Sequence, residues 1–172
     1  NIDVATALIV GVLLSTLYTL RGGFNSIVKT DFLQFILMFM GFGYMSIYLY
    51  HTFGGYDFLS SNLSIEMLSF PGPLNWTYVF TWGFIAFITF IDPSFYQRVY
   101  SSKDKNVAKK GIYISIGFWF LFDILSITVG LYSAAILPEI QFSPYIDMAE
   151  YILPPVIKGI FIISILAIVM ST

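Results

Sequence analysis

Ile165-Leu166-Ala167-Ile168-Val169-Met170-Ser171-Thr172 closes the chain. Apolar side chains run up to two adjacent hydroxyls, and no Gly, Pro or charged flank follows to end a helix. The stretch therefore reads as a helix cut partway along, at the level where polar oxygens first occur. In a membrane, oxygens at such a place either satisfy a neighbouring helix or hold something small and charged. The rest of the chain decides between the two.

Of 172 residues, 58% are hydrophobic, 19% aromatic and 10% charged, and the mean hydropathy is +0.82. Soluble domains carry about 25% charged residues, so polar surface is too scarce here to cover a globule of this size. Lipid is the expected solvent. The lack of cysteine excludes disulfides and thiolate metal sites. A net charge of −2 gives no reason to expect a nucleic-acid partner. There is no initiator Met and no leader pattern, so Asn1 reads as an internal start and the chain as a fragment of a longer polytopic protein.

A spanning helix needs about 20 mostly apolar residues. Five stretches qualify, at about 4–20, 30–53, 74–91, 111–137 and 154–172. The expected fold class is all-α integral membrane, a single transmembrane domain truncated at both ends. Seven of the eight Lys and Arg residues fall in alternate connections: Arg21 and Lys29, then Arg98, Lys103, Lys105, Lys109 and Lys110. The other connections carry Asp57 and Glu66, then Glu139, Asp147 and Glu150, with no cation before Lys158. By the positive-inside rule, Asn1 lies outside and Thr172 toward the cytoplasm. Residues 64–70 and 145–152 each suit a short interfacial helix. Asn62-Leu63-Ser64 matches a glycosylation sequon, but a match this short is read as an ordinary polar loop.

A few polar residues need a reason. Asp31 opens the second span, where an acid in a first helical turn is a good cap. Depth gives it a second reading. Ser171 lies 17 residues beyond Pro154, about 26 Å into a hydrocarbon core of about 30 Å. Asp31, Ser171 and Thr172 thus share one inner level, and a carboxylate with two hydroxyls suits a hard cation. Asp123, 13 residues after Lys110, falls mid-membrane. A charge there faces an interior or a cavity, or is eased by protonation or by hydroxyls such as that of Ser126. Asp92-Pro93-Ser94-Phe95-Tyr96-Gln97-Arg98 ends span three either as an interfacial helix stop or as a break carrying polar backbone into a cavity. His51, the only histidine, cannot build a typical metal site and reads as interfacial. Trp76 and Tyr78 read as part of an aromatic belt.

Three segments then stand out together. Tyr18-Thr19-Leu20-Arg21-Gly22-Gly23-Phe24 leads into Thr30-Asp31-Phe32-Leu33-Gln34. Asp92 to Arg98 is trailed by Ser101-Ser102-Lys103. Leu153-Pro154-Pro155 and Lys158-Gly159 precede the closing stretch. In this order and topology they resemble the sodium/solute symporter family. The resemblance implies five helices of a larger leucine-transporter-type bundle, two inverted five-helix repeats with sites at the repeat interface. Spans one and two would end the first repeat, and spans three to five begin the second. It further implies that Ser171 and Thr172 give hydroxyls, and Ile168 its backbone carbonyl, to a sodium site. The other ligands would come from a broken first core helix outside this chain. Asp31 would lie on the sodium route to the cytoplasm. Span three would line the substrate cavity, with Trp82 and Thr89 as candidate contacts; Asp92, Gln97 and Asp123 are the other intramembrane polar residues. Where the family usually has an aromatic before Thr-Asp, Lys29 stands here, and Ile168 replaces a common alanine. The second change leaves a main-chain ligand intact.

The implied activity is secondary active transport in the plasma (cell inner) membrane. Na+ moving inward would drive import of a small organic solute by alternating access, without enzymatic chemistry. The partners are the solute, the lipid bilayer and the remaining helices of the transporter. The alternatives are a membrane-embedded enzyme or structural subunit whose polar residues only join helices, and a passive channel.

Overall fold

The computed structural model describes residues 4–170; ahead of Gly22, only Leu13, Thr16, Leu17 and Leu20 have described side chains. All regular structure among these residues is helical. Helix α1 (Val4–Phe53) is followed by α2 (Tyr56–Asn62) and by α3 (Trp76–Ile85), which tightens into a 3-10 helix over Ala86–Phe90. Then come α4 (Pro93–Tyr100), α5 (Lys105–Ile136), α6 (Pro144–Ile152) and α7 (Pro155–Met170).

The connection expected between spans one and two shrinks to one residue. Within α1, Gly23 has φ 57° and ψ −164°, close to a backbone region that only glycine occupies without strain. Residues 24–29 are already helical, and the apolar crossing segment runs over Gly22–Phe53. Thr30 shows that a helix is in place before it. Its hydroxyl donates back to the carbonyls of Ser26 and Ile27, at 3.2 and 2.8 Å, the bonding of a mid-helix threonine. The helix stops at Gly54, whose φ of 98° lets its N–H reach the Tyr50 carbonyl at 3.0 Å.

Two helices among the described residues are long and apolar enough to cross a membrane, Gly22–Phe53 and Lys105–Ile136. A third crossing exists if Trp76–Phe90 and Pro93–Tyr100, bent by 44° at their junction, count as one span. Helix α7 is apolar, but its 16 residues are shorter than a full crossing. Helix α5 begins at Lys105 because Asp104 caps it, accepting from the N–H groups of Asn106 and Val107 at 2.8 and 3.0 Å. Residues 64–70 form turns, whereas the expected helix at 145–152 is present as α6.

The chain packs as two units, 1–48 with 139–172, and 49–138. In the first, Phe42 is buried with its ring 5.3 Å from that of Tyr145 and 5.2 Å from that of Phe161. Met45, Met148, Ala149, Leu153 and Ala167 complete that core. Asp147 holds the entry to α6 by accepting from the N–H groups of Gln141 and Phe142 at 2.7 and 3.0 Å. Lys158 of α7 pairs with Glu150 of α6 at 2.7 Å.

In the second unit, Leu49, Val129, Tyr132 and Ser133 are buried. The Tyr132 hydroxyl donates to the Gly54 carbonyl, and Phe58 of α2 stacks on the Tyr132 ring at 6.1 Å. Phe95 of α4 sets its ring edge against Trp119 of α5 at 6.0 Å. Only 6% of the apolar window of α5 is buried, and Phe80, Phe84, Phe87 and Phe120 are all exposed. Apolar surface on this scale has to be covered by lipid or by further helices.

Candidate functional site

Asp31 sits eight residues past the Gly23 break, inside a continuous helix. It is therefore not a cap: the first-turn N–H groups that a cap would satisfy lie near Gly23. Asp31 is half-buried, and so is Gln34, three residues on and on the same helix face. The Gln34 side-chain oxygen is buried, with no hydrogen-bond partner among the described residues.

Ten residues beyond Asp31, α1 meets α7 at Gly41. A Cβ built there would fall 2.5 Å from the Cβ of Ser164 and closer still to its hydroxyl. The Ser164 hydroxyl turns back to the Phe161 carbonyl at 2.6 Å. The contacts Phe42–Phe161 and Gly41–Ser164 run in opposite chain directions, so the helices cross antiparallel here. Ile168 is one turn past Ser164 and half-buried. Ser171 and Thr172 lie outside the described residues.

The other candidates lie in the second unit. Asp92 caps α4: its carboxylate accepts from the Ser94 N–H at 2.8 Å, with Pro93 in the first helical position. The Tyr96 hydroxyl donates to the Phe90 carbonyl at 2.5 Å, so that carbonyl at the break is already occupied. Gln97 is exposed, and its backbone carbonyl accepts from the N–H and hydroxyl of Ser101 at 3.0 and 2.6 Å. Trp82 is exposed, its ring 6.0 Å from that of Tyr78, and Thr89 is half-buried in the 3-10 helix. The carboxyl-bearing Asp123 is exposed on α5. The Ser126 hydroxyl donates to the backbone carbonyl of Asp123 at 3.1 Å, which leaves the carboxylate without the help expected from that serine. His51 is exposed beside the Tyr50 ring.

Among the described residues, no group of three or more His, Asp or Glu side chains is placed to hold a metal ion. That result does not bear on a site made of hydroxyl and carbonyl oxygens, which are the ligands an alkali cation takes. Sequence reasoning missed the orphaned Gln34 oxygen and the close approach at Gly41. The signal for the latter was present in the small residues Gly41, Ser164 and Ala167, the type that lets membrane helices come together.

The model of the sodium:solute symporter family matches residues 1–172. The chain belongs to this family. No curated protein and no solved structure matches it. A sodium:solute symporter is an integral membrane transporter, and the exposed apolar faces of α3 and α5 suit a chain in contact with lipid. Membership implies sodium coupling and places the chain in a transporter family rather than an enzyme family.

Proposed function

We propose that this segment is part of a sodium-coupled symporter that imports a small organic solute by alternating access, and that α1 and α7 form one wall of its sodium route. The observation that carries the reading is the antiparallel contact of Gly41 with Ser164. Asp31 is ten residues before Gly41, about 15 Å along α1, and Ser171 and Thr172 follow Ser164 by seven and eight residues in sequence. In this reading the acid and the two hydroxyls belong to one level of the route.

In this reading Ser171 and Thr172 contribute hydroxyls and Ile168 its carbonyl, while a broken first core helix outside this chain supplies the other oxygens. Three oxygens are too few for sodium, so the segment alone does not hold the ion. Sodium bound between that helix and α7 favours the outward-open state. When the two separate, Asp31 draws the ion toward the cytoplasm. Sodium raises solute affinity only through its preference for the solute-binding state. The proposed architecture is an inverted repeat with five crossings in this segment and Asn1 outside. Trp82 of α3 and Thr89 of the 3-10 helix that follows it face the substrate. The test is the sodium dependence of solute uptake by the full-length transporter carrying Ser171→Ala or Thr172→Ala.

A further inference from the structure

The start of α5 has a surface that sodium coupling does not use. Asn106, Lys109, Lys110, Tyr113 and Ile114 together form an open patch of surface. Their spacing is i, i+3, i+4, i+7 and i+8, one face of a helix. Over a rise of about 12 Å, this face passes from an amide through two ammonium groups to a phenol and then an isoleucine. All five side chains are exposed. The nearest acid, Asp104, is occupied in capping α5, and no acid pairs with Lys109 or Lys110 among the described residues. The Lys109 ammonium instead lies over the Tyr113 ring, 5.9 Å from its centre.

Depth places this face at the edge of the bilayer. The 32 residues of α5 rise about 48 Å, against a hydrocarbon core of about 30 Å. Measured from Ile136, the core ends near Ile116, so residues 106–114 occupy the head-group zone. Arg98, Lys103 and Lys105 precede it in the chain, with Asp92 and Asp104 as the acids of the same stretch.

We propose that this face is a binding site for an anionic phospholipid. Lys109 and Lys110 hold the phosphate, Asn106 and the Tyr113 hydroxyl reach the polar oxygens beside it, and Ile114 lies along the first methylenes of an acyl chain. A lipid matches both ends of the gradient. A lysine in direct hydrogen-bond contact with the phosphate contributes about fivefold or more in affinity, which a lysine outside the site does not. The proposal is independent of the sodium route.

The test is native mass spectrometry of the full-length transporter in neutral detergent, titrated with phosphatidylglycerol or with phosphatidylcholine of the same chains. The wild type is expected to retain phosphatidylglycerol preferentially. Lys109→Gln with Lys110→Gln should weaken that retention about 25-fold, roughly fivefold per lysine. Arginine at both positions should preserve it. Lys103→Gln with Lys105→Gln should change it less than about fivefold. Equal losses in the two Gln pairs would show diffuse charge attraction and overturn the site, as would no loss in the first pair. Displacement of the lipid by millimolar inorganic phosphate would overturn the lipid assignment. If the Lys109/Lys110 Gln pair does not fold, Tyr113→Ala tests the same face with both lysines intact. Loss of the phosphatidylglycerol preference supports the site and an unchanged preference contradicts it.

Discussion

Gly41 of α1 and Ser164 of α7 approach so closely that a side chain at Gly41 would run into the serine. The contact is backed by the Phe42–Phe161 ring pair next to it, so neither helix is free to move aside. Overpacking at such a place costs about 1–3 kcal/mol. Gly41→Ala is expected to lower the thermal unfolding midpoint of the full-length protein in detergent. Ser164→Gly should restore most of the loss by making room for the new methyl group. If the two changes simply add, the helices do not meet at this pair.

Tyr132 ties the end of α1 to the middle of the chain through its hydroxyl on the Gly54 carbonyl, and its ring stacks on Phe58. Tyr132→Phe removes the hydrogen bond alone and is expected to cost about 1 kcal/mol. Tyr132→Ala also removes a buried ring and should cost about 3–5 kcal/mol. The two variants should therefore separate clearly in unfolding midpoint; similar midpoints would place the stabilisation in the hydroxyl alone.

Asp92 acts as a cap, and a cap does not need charge. Asp92→Asn keeps an oxygen for the Ser94 N–H and should leave both stability and uptake near wild type, whereas Asp92→Ala should cost about 1 kcal/mol. Uptake lost as completely in Asn as in Ala would assign the carboxylate charge a role in transport.

Several of these relationships were legible in the residues and others were not. Scarce charge and long apolar runs are enough to specify an all-helical membrane chain, because no polar surface is left for another solvent. The Pro93 break was readable because proline removes a donor wherever it sits. The extent of α1 was not, since Phe24-Asn25-Ser26-Ile27-Val28-Lys29 contains loop-favouring residues but no residue that forbids a helix. An apolar count also starts α5 too late, because the turn that Asp104 caps is polar. Helix α2 escaped notice for a similar reason. Ser60, Ser61 and Asn62, which resemble loop residues, bond back to carbonyls of their own helix at 3.0, 2.8 and 2.8 Å. For Asp31 the residues left two readings open, a cap or a group at one depth with Ser171 and Thr172, and its place in mid-helix removes the first.

The central claim, that α1 and α7 line one sodium route, is tested most directly by a double-mutant cycle on the sodium activation of solute uptake. The full-length transporter would carry Asp31→Asn, Thr172→Ala, or both, with surface expression matched. Each single change is expected to raise the half-activating sodium concentration several-fold. In combination they should fall short of the product of the single effects, because groups on one ion path do not act independently. Sodium activation unchanged in Thr172→Ala, or single effects that multiply fully in the double variant, would contradict the account.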